Sequence, residues 1–169
     1  MELWDALDPN GETLGYDLVR GQIIPKDVYH LVVEALIVHT DGSYLIVQRC
    51  MQKDVYPGIY ESSAGGSVLK GETSIEAIKR EVFEEVGIDD IQSIRLLSKQ
   101  KLKNVNSLFH TYIITTSIPK DEIVLQVEET MDYIWLSRHE YIKYTESLAV
   151  IPNQIARLKP YIDTIKFED

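Results

Sequence analysis

"GSVLKGETSIEAIKREVFEEVGI", residues 66–88, is the stretch on which the fold turns. Ile75, Ile78, Val82 and Val86 recur three and four residues apart, the period at which side chains share one face of an α-helix. Thr73 and Glu76 have the spacing of a capping box and Gly87 is a natural left-handed stop, so the pattern predicts a helix over residues 74–86. At about 100° per residue, Glu81 and Glu85 lie about 40° apart on that helix, with Glu84 about 60° to the other side of Glu81. The three carboxylates share one face beside the apolar stripe. Like charges at such spacings destabilise an isolated helix by roughly 0.2–0.5 kcal/mol per pair, and acids near a helix C-terminus oppose its dipole. Two readings account for them: a solvated acidic face partly neutralised by Lys79 and Arg80, or a face that holds a hard divalent cation through oxygen ligands. Helical spacing does not choose between them.

Upstream, "LWDALDPNGETLGYDLV" (residues 3–19) sets a Pro-Asn-Gly turn between two short runs, which reads as an N-terminal β-hairpin. "HLVVEALIVHTDGSYLIVQR" (30–49) sets Asp41-Gly42 between two β-rich runs and reads as a second hairpin. Pro57-Gly58 marks a loop, followed by a short strand into Ala64-Gly65-Gly66. Downstream, residues 91–102, 107–118 and 132–136 are β-rich, and Ser137 with Glu140 opens another helix. A last helix begins near Pro152, with Pro160 bending or splitting it. Strands at the front and middle, one helix between them and helices at the end imply a mixed sheet with helices packed on it, an α/β or α+β sandwich.

At 169 residues the chain fits one domain with a sizeable core. Its 27 acidic against 17 basic residues give a net charge of -10, which does not support the basic footprint that long nucleic acid requires. A small phosphorylated ligand stays open, because a divalent cation reverses the local sign of an acidic site. Cys50 is the only cysteine, which excludes an intrachain disulfide and a cysteine-built zinc site. The acidic start lacks the regions of a signal peptide and no apolar run reaches the length of a membrane span, so a cytoplasmic location without membrane contact is expected. A homodimer is compatible with the sequence and not required by it.

The longer pattern decides between the two readings of the carboxylate face. Gly66, five residues, Glu72, seven residues, Arg80-Glu81, Val82, Phe83, Glu84-Glu85, Val86, Gly87 and Ile88 match the Nudix box at every specified position. The chance of such a match at one starting position is on the order of 10⁻⁹ from average residue usage. The chain therefore resembles the Nudix hydrolase family, and the layout of residues 28–167 is similar to the family's as well. The resemblance implies a Nudix α/β/α sandwich with a mixed β-sheet: one domain over residues 1–169, made of an N-terminal hairpin extension (1–27) and a Nudix core (28–169).

The resemblance also implies chemistry: divalent-metal-dependent cleavage of a diphosphate bond in a nucleoside diphosphate derivative or related small diphosphate, with Mg²⁺ or Mn²⁺. Carried onto this chain, Glu81 and Glu85 are metal ligands, Glu84 is a third ligand or shares a water with them, and the Gly65 carbonyl completes the shell. Arg80 orients the carboxylates by charge-assisted hydrogen bonds, while Gly66, Glu72 and Gly87 support the box. The general base is Glu84, or else an acidic residue before the final strand, Glu129 with Glu128 beside it.

A second resemblance names another reaction. Residues 29–66 are similar to the matching segment of isopentenyl diphosphate isomerases, which share the fold and depend on a Cys and a metal-binding His. Ala64 and Gly66 occupy those two positions here, which disfavours the isomerase reading. His30 matches an isomerase metal-ligand position without its partners, and Cys50 lies outside the aligned element. A non-catalytic Nudix ligand-binding domain is a third reading, disfavoured by the intact box. Of the other histidines, His39 and His139 are expected to be exposed, and His110 to face a pocket or pack within a strand. No substrate-specific motif of the family selects a particular diphosphate.

Overall fold

The computed structural model describes residues 1–167. Its strands are β1 (Leu3–Leu7), β2 (Thr13–Val19), β3 (His30–His39), β4 (Tyr44–Arg49), β5 (Tyr60–Glu61), β6 (Ala64–Ser67), β7 (Ile91–Leu102), β8 (Ser107–Thr116) and β9 (Thr130–Leu136); its α-helices are α1 (Ser74–Val86), α2 (Arg138–Thr145) and α3 (Pro152–Phe167). The final residues of the expected core, 168–169, lie outside the described residues.

Strands β3 to β9 form one mixed sheet along the path β5-β4-β3-β8-β7, with β6 paired to β3 and β9 to β4. The β3–β8 pair is parallel and the other pairs are antiparallel. Alternation along the buried strands divides two cores. Val33, Ala35, Ile37, Leu45 and Val47 meet Ala77, Ile78, Val82 and Val86 of α1 on one face. Leu36, Tyr44, Ile46 and Ile113 meet Tyr141 of α2 and Leu158, Ile162 and Ile165 of α3 on the other. Both faces of the central strands are thus covered, which is why β3 reads as a nearly continuous apolar run. The arrangement is the α/β/α sandwich expected from the sequence.

Helix α1 begins and ends where its signals stand. The Thr73 hydroxyl accepts from the Glu76 amide, the Glu76 carboxylate accepts from the Thr73 amide, and Gly87 takes a left-handed φ of 72°. The apolar stripe needs one correction: Ile75 is 41% exposed, while Ala77, about 200° round the helix from it, is fully buried. By helical angle Ile75 lies between Val82 and Val86, so its exposure follows from its place in the first turn and not from its angle. Pro160 does not split α3, whose apolar face is held by the second core.

One departure from a regular sheet positions the site. Strand β3 pairs with β4 at Val38↔Tyr44, but over Val32–Ala35 it pairs with β6, while β4 pairs with β5 at Val47↔Glu61. The two halves of the sheet therefore part, and residues 60–67 fill the opening. Ser63 stitches it, its Oγ donating to Leu45 O at 2.7 Å and accepting from Ile37 N at 2.9 Å. A hydroxyl can do both at once, so each backbone group beside the opening stays satisfied.

The N-terminal hairpin β1–β2 packs beside this opening through a small core of Trp4, Ala6, Leu18 and Val28. The loop ahead of α1 is tied to it, with Lys70 N donating to Leu3 O at 2.9 Å and Gly71 N to Asp5 Oδ2 at 2.7 Å.

Candidate active site

Arg80 organises the acidic residues of α1. Its Nε and Nη2 donate to the two oxygens of Glu72 at 2.8 and 2.9 Å, its Nη1 donates to Glu81 at 2.7 Å and Glu84 at 3.1 Å, and Nη2 also reaches Ser67 O at 3.1 Å. A planar guanidinium can hold two carboxylates at fixed angles in this way, whereas an ammonium cannot. Burial alone would raise the Glu72 carboxyl, but the Arg80 hydrogen bonds and the Leu69 amide outweigh it and leave the group below its usual range. For Glu81 the balance reverses: burial lifts its carboxyl above the usual range against the pull of Arg80.

Glu85 points the other way from Glu84, toward β6. It accepts from the Gly65 amide at 3.1 Å. Burial first, then the charges of Glu81 and Glu61, push its carboxyl up to about 8. Glu61, on β5, is itself raised by burial against the lowering effect of Arg49, which donates to it at 2.9 Å. Three carboxyl groups from β5 and α1 thus crowd the opening in the sheet.

The glycines allow that approach. A Cβ on Gly66 would stand 2.4 Å from Glu81 Oε1, and one on Gly65 would stand 2.4 Å from Val33 O. Gly66 leaves room for a carboxylate, and Gly65 leaves room for the neighbouring strand. At Gly87 a Cβ would meet Val124 Cβ at 2.9 Å, where the segment ahead of β9 lies against the end of α1. That segment is fixed by Val124 N donating to Val86 O and Gln126 N to Glu85 O, both at 3.1 Å.

Two bays meet over Gly65, Gly66 and Glu85. The outer bay, about 430 Å³, is lined by Arg80, Glu81 and Glu84 together with Glu2 and Arg20 of the N-terminal segment. The inner bay, about 370 Å³, runs between Arg49, Glu61, Phe109, Glu34 and Arg157. Lys53 and Glu129 form an ion pair and line both bays.

The fold brings Arg80, Glu81, Glu84, Glu85, Gly65, Gly66 and Glu129 to this one cleft. Glu128 is exposed and lines neither bay. His30 is buried and lines neither bay; it is stacked on Trp4 with ring centroids 4.2 Å apart and bonded to Ser107 Oγ at 2.8 Å. Cys50 is buried outside both bays. His39, expected to be exposed, is instead partly buried, its Nε2 3.1 Å from Ile118 O and its ring edge-on to Trp135. His139 is exposed, and His110 lines a separate pocket beside the hairpin turn.

Glu34, Arg49, Lys53, Glu61, Arg20 and Arg157 were not singled out by sequence. Only Arg49 carried a signal, as the charged end of the apolar run "YLIVQR". The cleft alternates carboxylates with Arg49, Lys53 and Arg20, a set able to hold both a cation and an anionic ligand.

The donor set suits a hard divalent cation. Glu81 Oε2 and Glu85 Oε1 have no hydrogen-bond partner among the described residues, and both carboxylates line the outer bay. As the side chains stand, no three His, Cys, Asp or Glu groups among the described residues converge on one point. Glu84 is turned to Arg80, and its 47% exposed side chain has room to swing.

A sandwich whose box helix sets glutamates over a split in the sheet defines the Nudix architecture. Residues 28–157 match the NUDIX domain, and the chain belongs to the Nudix hydrolase family. It is 34% identical over 164 residues to an uncharacterised Nudix hydrolase of Listeria monocytogenes, covering 94% of this chain and 96% of that one. It is 28% identical over 127 residues to an isopentenyl-diphosphate Delta-isomerase of Salmonella typhi, covering 73% and 68%. A crystal structure from Deinococcus radiodurans shares the fold with a TM-score of 0.70 and 22% identity over 88% of this chain and 91% of that chain. No helix among the described residues is long and apolar enough to cross a membrane.

Proposed function

We propose that the protein is a divalent-metal-dependent pyrophosphohydrolase that cleaves a small diphosphate lying across Gly65, Gly66 and Glu85, where the two bays meet. The observation that carries this reading is the pair of unpartnered carboxylate oxygens, from Glu81 and Glu85, beside a groove that also presents Arg49, Lys53 and Arg20. Glu81 and Glu85 would hold Mg²⁺ or Mn²⁺, joined by the Gly65 carbonyl and by Glu84 directly or through water. When bound, the cation supplies charge neutralisation for a diphosphate and a more acidic water. Arg80 keeps Glu81 oriented through the transfer. The cations at the rim offset the remaining phosphate charge and align the bond for in-line attack. Glu129 is the base that takes the water's proton, since it lines both bays while Glu128 lines neither; Glu84 is its competitor.

The kinship to an isopentenyl-diphosphate isomerase supports a second reading, but neither a cysteine nor a histidine lines either bay, and Cys50, the only cysteine, is buried outside both. Incubation with nucleoside diphosphates, nucleotide sugars and isopentenyl diphosphate, with Mg²⁺ or Mn²⁺ in H₂¹⁸O, decides among the readings. Entry of label into one phosphate product is expected. Conversion of isopentenyl to dimethylallyl diphosphate without label would establish the isomerase. Binding without any turnover would establish a ligand-binding domain.

A further inference from the structure

The inner bay holds charges that the hydrolytic chemistry does not use. Glu34 on β3 and Arg157 on α3 are 6% and 7% exposed, 123 residues apart in sequence, and joined by two hydrogen bonds, Nε to Oε1 at 2.5 Å and Nη2 to Oε2 at 2.8 Å. Thr111 Oγ1 donates to the same carboxylate at 2.9 Å, and the guanidinium lies over the Phe109 ring at 4.2 Å from its centroid. A buried ion pair is weak evidence for stability, because well-packed apolar residues of similar volume often do as well or better. This pair is also not sealed within a core: both members line the bay that opens onto Glu85. Arg157 spends Nε and Nη2 on Glu34, which leaves Nη1 without an acceptor among the described residues.

The bay's other walls differ in kind. Val32, Phe109 and Val105 supply apolar surface, and Asn104 and Asn153 supply amides. A volume of about 370 Å³ suits a group of ring size. A branched hydrocarbon placed here would cover Arg157 and Glu34 without replacing the hydrogen bonds lost to water, an unfavourable exchange. A group with a donor and an acceptor on one edge would satisfy Nη1 and the amides while its apolar body met Val32 and Val105.

We infer that Glu34 and Arg157 determine specificity: they select, for the non-phosphate part of the substrate, a polar ring with donor and acceptor edges over a prenyl chain. The inference rests on the proposed cleavage site only for the position of the diphosphate at Gly65 and Gly66. Removing the pair should abolish a preference, whereas a merely structural pair would affect every substrate alike.

The test compares kcat/KM for the four ribonucleoside diphosphates, isopentenyl diphosphate and methyl diphosphate, the last lacking any group to fill the bay. Wild type should prefer at least one nucleoside diphosphate over methyl diphosphate by tenfold or more, mainly through KM. In the Glu34→Gln/Arg157→Gln double variant that ratio should fall at least tenfold. Arg157→Lys keeps the charge beside Glu34 but loses the planar fork, so it should keep the melting temperature within a few degrees and lose most of the preference. A folded Arg157→Lys protein that retains the preference, an equal loss on all substrates, or a wild type that favours isopentenyl diphosphate would each overturn the inference. Calorimetry with α,β-methylene nucleoside diphosphates against methylenediphosphonate reads the same ratio as affinity. A protein that binds with the expected preference and cleaves nothing would therefore sink the hydrolase reading while sustaining this one.

Discussion

The carboxylate of Glu81 occupies the space that a side chain on residue 66 would need, since a Cβ built on Gly66 would stand 2.4 Å from Glu81 Oε1. The adjacent glycine differs in what it faces, for a Cβ on Gly65 would meet the Val33 backbone carbonyl at the same distance. A carboxylate swings aside at small cost, whereas a strand cannot. Gly66→Ala should therefore change stability by under about 1 kcal/mol and lower turnover tenfold or more, while Gly65→Ala should cost about 1–3 kcal/mol. Thermal melts and kcat on the two variants check this; equal stability losses would place the two glycines in one role.

Arg80 and Glu72 form the bidentate pair from which the other carboxylates are hung. Arg80→Lys should lower stability by about 1–2 kcal/mol and reduce turnover, because an ammonium cannot bridge Glu72, Glu81 and Ser67 O together. A double-mutant cycle of Arg80→Lys with Glu72→Gln should show a coupling of about 0.5–3 kcal/mol. Strict additivity would count against Arg80 as the organiser of the face.

Glu85 couples metal to pH. Its carboxyl is raised from 4.5 to about 8 in the folded metal-free protein, so folding takes up a proton in that window and the stability this group allows falls as pH rises through it. A cation that binds Glu85 must displace that proton, so apparent affinity should rise by about tenfold per pH unit below 8. Melts with and without saturating Mn²⁺ at several pH values should show a metal-induced rise that grows with pH and levels off near 8. In Glu85→Gln the growth should shrink to the part contributed by Glu81, whose carboxyl is also raised; a pH-independent shift in wild type would remove Glu85 from the metal site.

His30 has the opposite sign. Ser107 Oγ donates to Val105 O, so it must accept from His30 Nε2–H, which leaves buried Nδ1 without a partner. Burial lowers the His30 pKa from 6.5 to about 4, with Glu2 pulling weakly upward. The neutral ring's contribution is complete above pH 6.5 and is lost as pH falls toward 4, by up to roughly 3 kcal/mol. His30→Phe keeps a ring against Trp4 and should flatten the difference in stability between pH 6.5 and 4.5, measured by urea unfolding. An unchanged slope would contradict this.

Glu129 and Glu128 are neighbours in sequence with different surroundings. Glu129→Gln should reduce kcat by about 10² or more and displace the acid limb of its pH profile, whereas Glu128→Gln should stay within about twofold of wild type. Equal effects, or none at Glu129, would transfer the base to Glu84.

Local patterns were enough to write down α1 residue for residue, the N-terminal hairpin and the turn between β3 and β4, because capping boxes, turn residues and helical periods act over a few positions. The same local rules set Ile75 in the buried stripe and put His39 in solvent. Neither held, since burial depends on what lies opposite. The partners of the box were settled only by tertiary contact. Glu61 reaches Glu85 because the sheet parts between β3 and β4, Glu129 enters the cleft because its segment is bonded to the end of α1, and Arg157 meets Glu34 from 123 residues away. Sequence spacing specifies which residues share a face of one element; which faces meet is decided by how the sheet's two apolar surfaces are covered, and that is a property of the whole chain.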